Sequence, residues 1–186
     1  MKKNLVFLNL LAVGLVSVNV LSGCGDAEKD KSSSSASSST ANGSEMEQEF
    51  RDITKGTLKA AGTDPLTFRL ADDSDFSLEK FDAMDPVGYC GQTDAGEDQG
   101  SYGVILENDV NYSATEYEKK VDAVWEYWES LGLQPSNFSP ADNARSIRAQ
   151  TALGGEVTYM ASEHGEYVTS DSACSVKIVV PDNGNW

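Results

Sequence analysis

The sequence is short of several things, and each shortage removes a class of function. It has one histidine, His164, in 186 residues, so a centre needing two imidazoles, including most zinc hydrolase arrangements, is excluded. It carries 14 lysines and arginines against 30 aspartates and glutamates, a formal charge of −16. Nucleic acid as a ligand goes with it, because binding a phosphate backbone needs a clustered basic surface. No Gly-x-Ser-x-Gly or comparable nucleophile motif occurs, which leaves His164 without a serine to activate. Its position before Gly165 reads as a hairpin tip, where histidine tolerates left-handed backbone. The three cysteines include no Cys-x-x-Cys spacing, against a redox or metal-binding pair. What is present is enough to fold: 39% hydrophobic and 9% aromatic residues supply a core, and the length fits one globular domain.

The N-terminus has three parts. Lys2 and Lys3 precede a 17-residue apolar stretch, Leu5 to Leu21, short of the roughly 20 residues of a spanning helix and suited to a signal-peptide core. It ends in Leu21-Ser22-Gly23-Cys24. This arrangement resembles a bacterial lipoprotein precursor, whose lipobox is Leu-small-Gly-Cys after a charged and then an apolar segment. The resemblance implies a diacylglyceryl thioether on Cys24 and cleavage after Gly23, so residues 1–23 are expected to be signal peptide. Each buried acyl methylene contributes about 0.8 kcal/mol, so two or three chains hold durably where one holds marginally. Loss of Lys2 and Lys3 takes the 14 basic residues to 12 against 30 acidic, a formal charge of −18. Anionic headgroups repel such a body, and the acyl chains must do the anchoring. Residues 24–43, with the run Ser32 to Thr40, read as a flexible tether of roughly 20–25 Å reach.

Residues 44–186 read as the globular domain. Ser44 and Glu47 fit a capping box, followed by Met46, Phe50, Ile53, Leu58 and Ala61 at helical spacing and Gly62 as a stop. Gly56 weakens that helix. The alternation Leu66-Thr67-Phe68-Arg69-Leu70 predicts a strand, and residues 71–87 a partly packed loop. Tyr89 to Gly91 and Tyr102 to Glu107 predict two more strands. Ser113 and Glu116 form a second capping box before Tyr117, Val121, Val124, Trp125, Trp128 and Leu131, a helical stripe ended by Gly132. Strands are then expected over Ala144 to Thr151, Glu156 to Ser162, Glu166 to Asp171 and Ser175 to Val180, with turns at Gly154-Gly155 and His164-Gly165. The fold class this implies is α+β: an antiparallel sheet with the Trp-bearing amphipathic helix packed on one face, and an N-terminal helix.

Candidate chemistry is sparse. With Cys24 acylated, Cys90 and Cys174 remain, and outside the cytoplasm an even remainder favours a disulfide. Closing a loop of that length contributes about 4–5 kcal/mol on the chain-entropy account. Asp73, Asp75, Ser77 and Glu79 alternate as calcium ligands do, but the glycine of an EF-hand turn is missing. Calcium is the one candidate cofactor. Paired carboxylates would suffice for an envelope polysaccharide hydrolase, yet among 30 acids some pair is always available, and the spacing of Trp125 and Trp128 is already explained by a core. Arg145 and Arg148 flank Ile147, and strand alternation sends them to opposite faces, Arg145 with Ile147.

The whole layout is similar to small surface lipoproteins of Gram-positive, especially high-GC, bacteria. It implies a place, the outer face of the cytoplasmic membrane. The expectation is a monomeric, non-enzymatic interaction domain, held to the membrane by its acyl chains. Its anionic surface would suit cationic peptides, basic proteins or divalent ions.

Overall fold

The computed structural model describes residues 41–138 and 143–181. The expected signal peptide, the expected acylation site Cys24 and most of the expected tether lie outside the described residues. Among the described residues there are three α-helices and seven strands in one antiparallel sheet.

Helix α1 (Gly43–Ala61) opens on Asn42, whose side chain accepts from the Glu45 backbone N–H at 2.9 Å while the Glu45 carboxylate accepts from the Asn42 N–H at 3.0 Å. The capping box is therefore Asn42/Glu45 rather than Ser44/Glu47. Glu47 instead pairs with Arg51 at 2.8 Å. Ala41 is buried and Gly43 packs against the Lys177 carbonyl, so the domain starts a few residues earlier than the change in composition indicates. Gly62, at φ +68°, ends the helix.

The predicted strand at 66–70 is largely replaced by a 3-10 turn, Pro65–Thr67, with only β1 (Arg69–Leu70) extended. Pro65 supplies the helical φ, and Asp64 accepts from the Leu66 N–H at 3.0 Å. Leu66 consequently stands 69% exposed, while Phe68 is buried. The segment read as a loop contains α2 (Leu78–Ala83), capped by Ser77, with Phe76 and Phe81 turned into the core. One turn and a half is too short to show a period in sequence.

Strands β2 (Val87–Gln92) and β3 (Asp98–Asn108) form a hairpin, and α3 (Ala114–Ser130) follows. As expected, the Glu116 carboxylate closes the start of α3, accepting from the Ser113 N–H at 2.8 Å and its hydroxyl at 2.6 Å. Strands β4 (Ser136–Asn137), β5 (Ala144–Gln150), β6 (Glu156–Ser162) and β7 (Gly165–Asp171) complete the sheet. Its order is β1-β3-β7-β6-β5-β4, with β2 also on β3 and every pairing antiparallel.

The helices lie on one face, α3 over β5 and β6, and α1 beside α3 over β3 and β7. Between the layers sit Met46, Phe50 and Leu58 of α1, Val121, Val124 and Trp128 of α3, and Leu106, Ile147, Val157, Tyr159 and Val168 of the sheet. Each such side chain contributes about 1.5–3 kcal/mol by leaving water. Trp128 donates its indole N–H to Thr57 at 2.9 Å, satisfying its one polar atom inside the core. Trp125 is half-buried, with the Arg145 guanidinium over its ring at 5.9 Å. Leu131, placed in the core by its spacing, is 50% exposed: it lies past the last turn of α3, where Gly132 turns the chain at φ +80°. The last predicted strand, Ser175 to Val180, reduces to one bridge between Ser175 and Gly100. Beyond it Val179 is 82% exposed, whereas Ile178 is buried.

Candidate functional site

Cys90 on β2 and Cys174 after β7 form a disulfide with a Cα–Cα distance of 6.1 Å. It ties the outer hairpin to the chain end beside the Gly100–Ser175 bridge.

The acidic segment is largely engaged in shaping its own loop. The Ser74 hydroxyl, and then the Ser74 N–H at 3.0 Å from the Asp72 carboxylate, hold the Asp72 carboxyl below its ordinary value. Asp73 sits in left-handed backbone at φ +62°, the backbone of Asp75 forms a β-bridge with that of Arg69, and Glu79 lies in the first turn of α2. Among the described residues no group of three or more His, Cys, Asp and Glu is placed to hold a metal ion. His164 occupies the β6–β7 turn as read from sequence, exposed; the positive φ there belongs to Gly165 instead, at +147°. A Cβ at 165 would meet the Asn108 carbonyl, so glycine is required by contact as well as by conformation. Arg145 and Arg148 do part to opposite faces. Arg145 reaches Glu118 at 3.0 Å and Asp122 at 2.5 Å on α3, and Arg148 lies over the Phe138 ring at 4.8 Å.

Two features escaped the sequence reading. The first is a buried polar cluster where Lys120 of α3 reaches Glu166 at the start of β7. The Glu166 carboxylate, fully buried, accepts from the Thr63 hydroxyl at 2.6 Å and the Tyr159 hydroxyl at 2.9 Å, and pairs with Lys120 at 3.0 Å. Lys120 also donates to the Ala61 carbonyl at 3.0 Å and to Thr63 at 2.6 Å, with its ammonium 4.7 Å from the centre of the Tyr112 ring. Burial and the nearby Glu166 push the Tyr112 hydroxyl up to about 12 and raise that of Tyr159 too. With its lone pairs committed to these donors, Glu166 serves structure, fastening three elements together. One signal in the sequence pointed here: Glu166 alternates with Val168 and Ser170 on the inward face of β7, and a charge at a core-facing position demands a partner.

The second feature is a groove at the other end of α3. Two adjoining clefts, of about 670 Å³ and 240 Å³, share Leu131, Leu133, Thr151 and Ala152. One wall is the end of α3 and the other is the β5–β6 turn. Glu49 of α1 holds that turn, accepting from the Thr151 hydroxyl at 2.7 Å and the Leu153 N–H at 3.0 Å. The apolar lining comes from Leu131, Leu133, Tyr127 and Ile53, and the acidic lining from Glu49, Asp52 and Glu156, with Arg148 the single base. Among the described residues no helix is long and apolar enough to cross a membrane.

No family model matches this chain, and no curated protein does. Two solved structures show a distant similarity to part of this chain. A DUF4853 family protein from Actinomyces odontolyticus has 18% identity and a TM-score of 0.44, covering 74% of this chain and 67% of its own. The candidate lipoprotein LppA from Mycobacterium tuberculosis has 14% identity and a TM-score of 0.42, covering 74% of this chain and 81% of its own. Neither carries a site residue or a ligand over to this chain.

Proposed function

We propose that this protein is a lipid-anchored, non-enzymatic interaction domain displayed on the outer face of the bacterial cytoplasmic membrane. The observation that carries the reading is Leu21-Ser22-Gly23-Cys24 directly after a charged and then an apolar segment. Such a stretch is too short for a durable span and suits processing at the cysteine. The serine-rich run that follows separates an anchor from a folded body. A disulfide between Cys90 and Cys174 fits an oxidising compartment. The acidic body and its groove fit the recognition of a partner.

The test is metabolic labelling with an alkyne fatty acid in a bacterial host. The wild-type chain should take up label and the Cys24→Ala variant should not. An unlabelled wild type, or a labelled variant, overturns the anchoring. Crosslinking on intact cells should then capture a partner, and cleavage of a wall polymer by the purified protein overturns the non-enzymatic role.

A further inference from the structure

The stripe of α3 was laid out for a core, yet its last member is not covered. Leu131 stands half exposed at the mouth of the groove, with Leu133 and Tyr127 beside it. The electrostatics at this point are also left open. A helix C-terminus carries a partial negative charge and favours lysine or arginine in its final turn. Here the last turn of α3 has no basic residue and contains Glu129. The groove adds Asp52 and Glu156, both exposed, while the carboxylate of Glu49 is occupied by the β5–β6 turn. The one base in the lining, Arg148, rests on the Phe138 ring. An apolar floor beneath an uncompensated negative rim is disfavoured in isolation and complementary to a positive, amphipathic guest.

Resting on the interaction-domain reading, we infer that this groove docks a cationic amphipathic segment of a partner protein. Its aliphatic or aromatic side chains sit on Leu131, Leu133 and Tyr127. Its lysines or arginines face Asp52, Glu156 and the end of α3. The overall negative charge speeds encounter, and the apolar floor selects among cationic partners.

The test uses the full chain in zwitterionic nanodiscs and the fluorescence anisotropy of a labelled peptide alternating lysine and leucine, with empty discs as baseline. The peptide should bind the wild type, and a glutamate–leucine counterpart should not. The combined Glu129→Lys and Leu131→Ser variant, altered only at exposed positions, should bind about tenfold more weakly. Glu97→Lys, in the β2–β3 turn far along the chain from the groove, removes the same kind of charge and should change binding by less than about twofold. Equal weakening by both variants makes the attraction a general effect of net charge and overturns the groove. So does a dimer in the discs that Leu131→Ser alone dissolves, since a second copy then fills the site. Labelling reads the acyl chain on Cys24 and anisotropy reads the peptide bound at the groove, so failure here leaves the labelling result untouched.

Discussion

The two ends of α3 are built on opposite principles. At its start, Lys120 is withdrawn from water and given Glu166, Thr63 and the Ala61 carbonyl, so a costly burial is matched donor by acceptor. At its end, Glu129 and Leu131 are exposed, with no base in the last turn of the helix. The helix buries the same kind of stripe throughout. What differs is whether other elements reach over it: β7 and the end of α1 supply partners at the first end, while the chain turns away at Gly132 beyond the second. Polar groups are paired where the fold closes over them, and stay in solvent where it does not.

This contrast is easiest to break at the closed end. Lys120→Met leaves the buried Glu166 side chain without its cation, and should lower stability by about 3–5 kcal/mol, measured by urea denaturation. Adding Glu166→Gln should recover part of that loss, and a double variant no better than the single one would argue against the pair. Between the two ends, Gly56→Ala probes the seam of α1 and α3. Helix propensity alone predicts a gain of about 1 kcal/mol. A Cβ at 56 would run into the Tyr127 ring, however, and the expected result is a loss of about 1–3 kcal/mol. The sign decides whether local preference or packing controls the site.

Alkaline titration tests the closed end again. The folded-state pKa of Tyr112, about 12, lies above its unfolded value of 10.0. The proton is therefore held more tightly when folded, and this contribution is fully present below pH 10 and lost as pH rises toward 12. Thermal melts should drop through that window, and a Tyr112→Phe variant should drop less. The smallest effect belongs to the open end, where Glu129→Lys should raise stability by about 0.3–1 kcal/mol by opposing the helix terminus. A loss there would mean that Glu129 is already partnered. The same substitution is part of the variant expected to weaken peptide binding, so stability and recognition should move in opposite directions.

Much of this architecture was legible in the chain because its causes are local. The Ser113/Glu116 box, the stripe from Tyr117 to Trp128 and the stop at Gly132 depend on residues three or four apart. The separation of Arg145 from Arg148 follows from the two-residue period of a strand. Local pattern misled where two local rules competed. Leu66 to Leu70 alternates like a strand, but Pro65 and the Asp64 cap favour a helical turn over its first half. Ser175 to Val180 alternates too, yet only Ser175 finds a bridge partner, and the segment runs on as irregular chain closed at Ile178.

The groove and the buried pair lay beyond that reach. Thr63 and Glu166 are 103 positions apart, and Lys120 and Ala61 are 59. Nothing in the spacing of either set marks them as neighbours. The sequence alone determined the Ser113/Glu116 cap, the turn glycines, the mixed α+β class and the lipobox pattern, because each is carried by a short run of residues. Only the tertiary structure decided which charge is buried and which apolar side chain is left uncovered. Burial is a property of the surface that distant segments present to one another, and it exists only once the layers have closed.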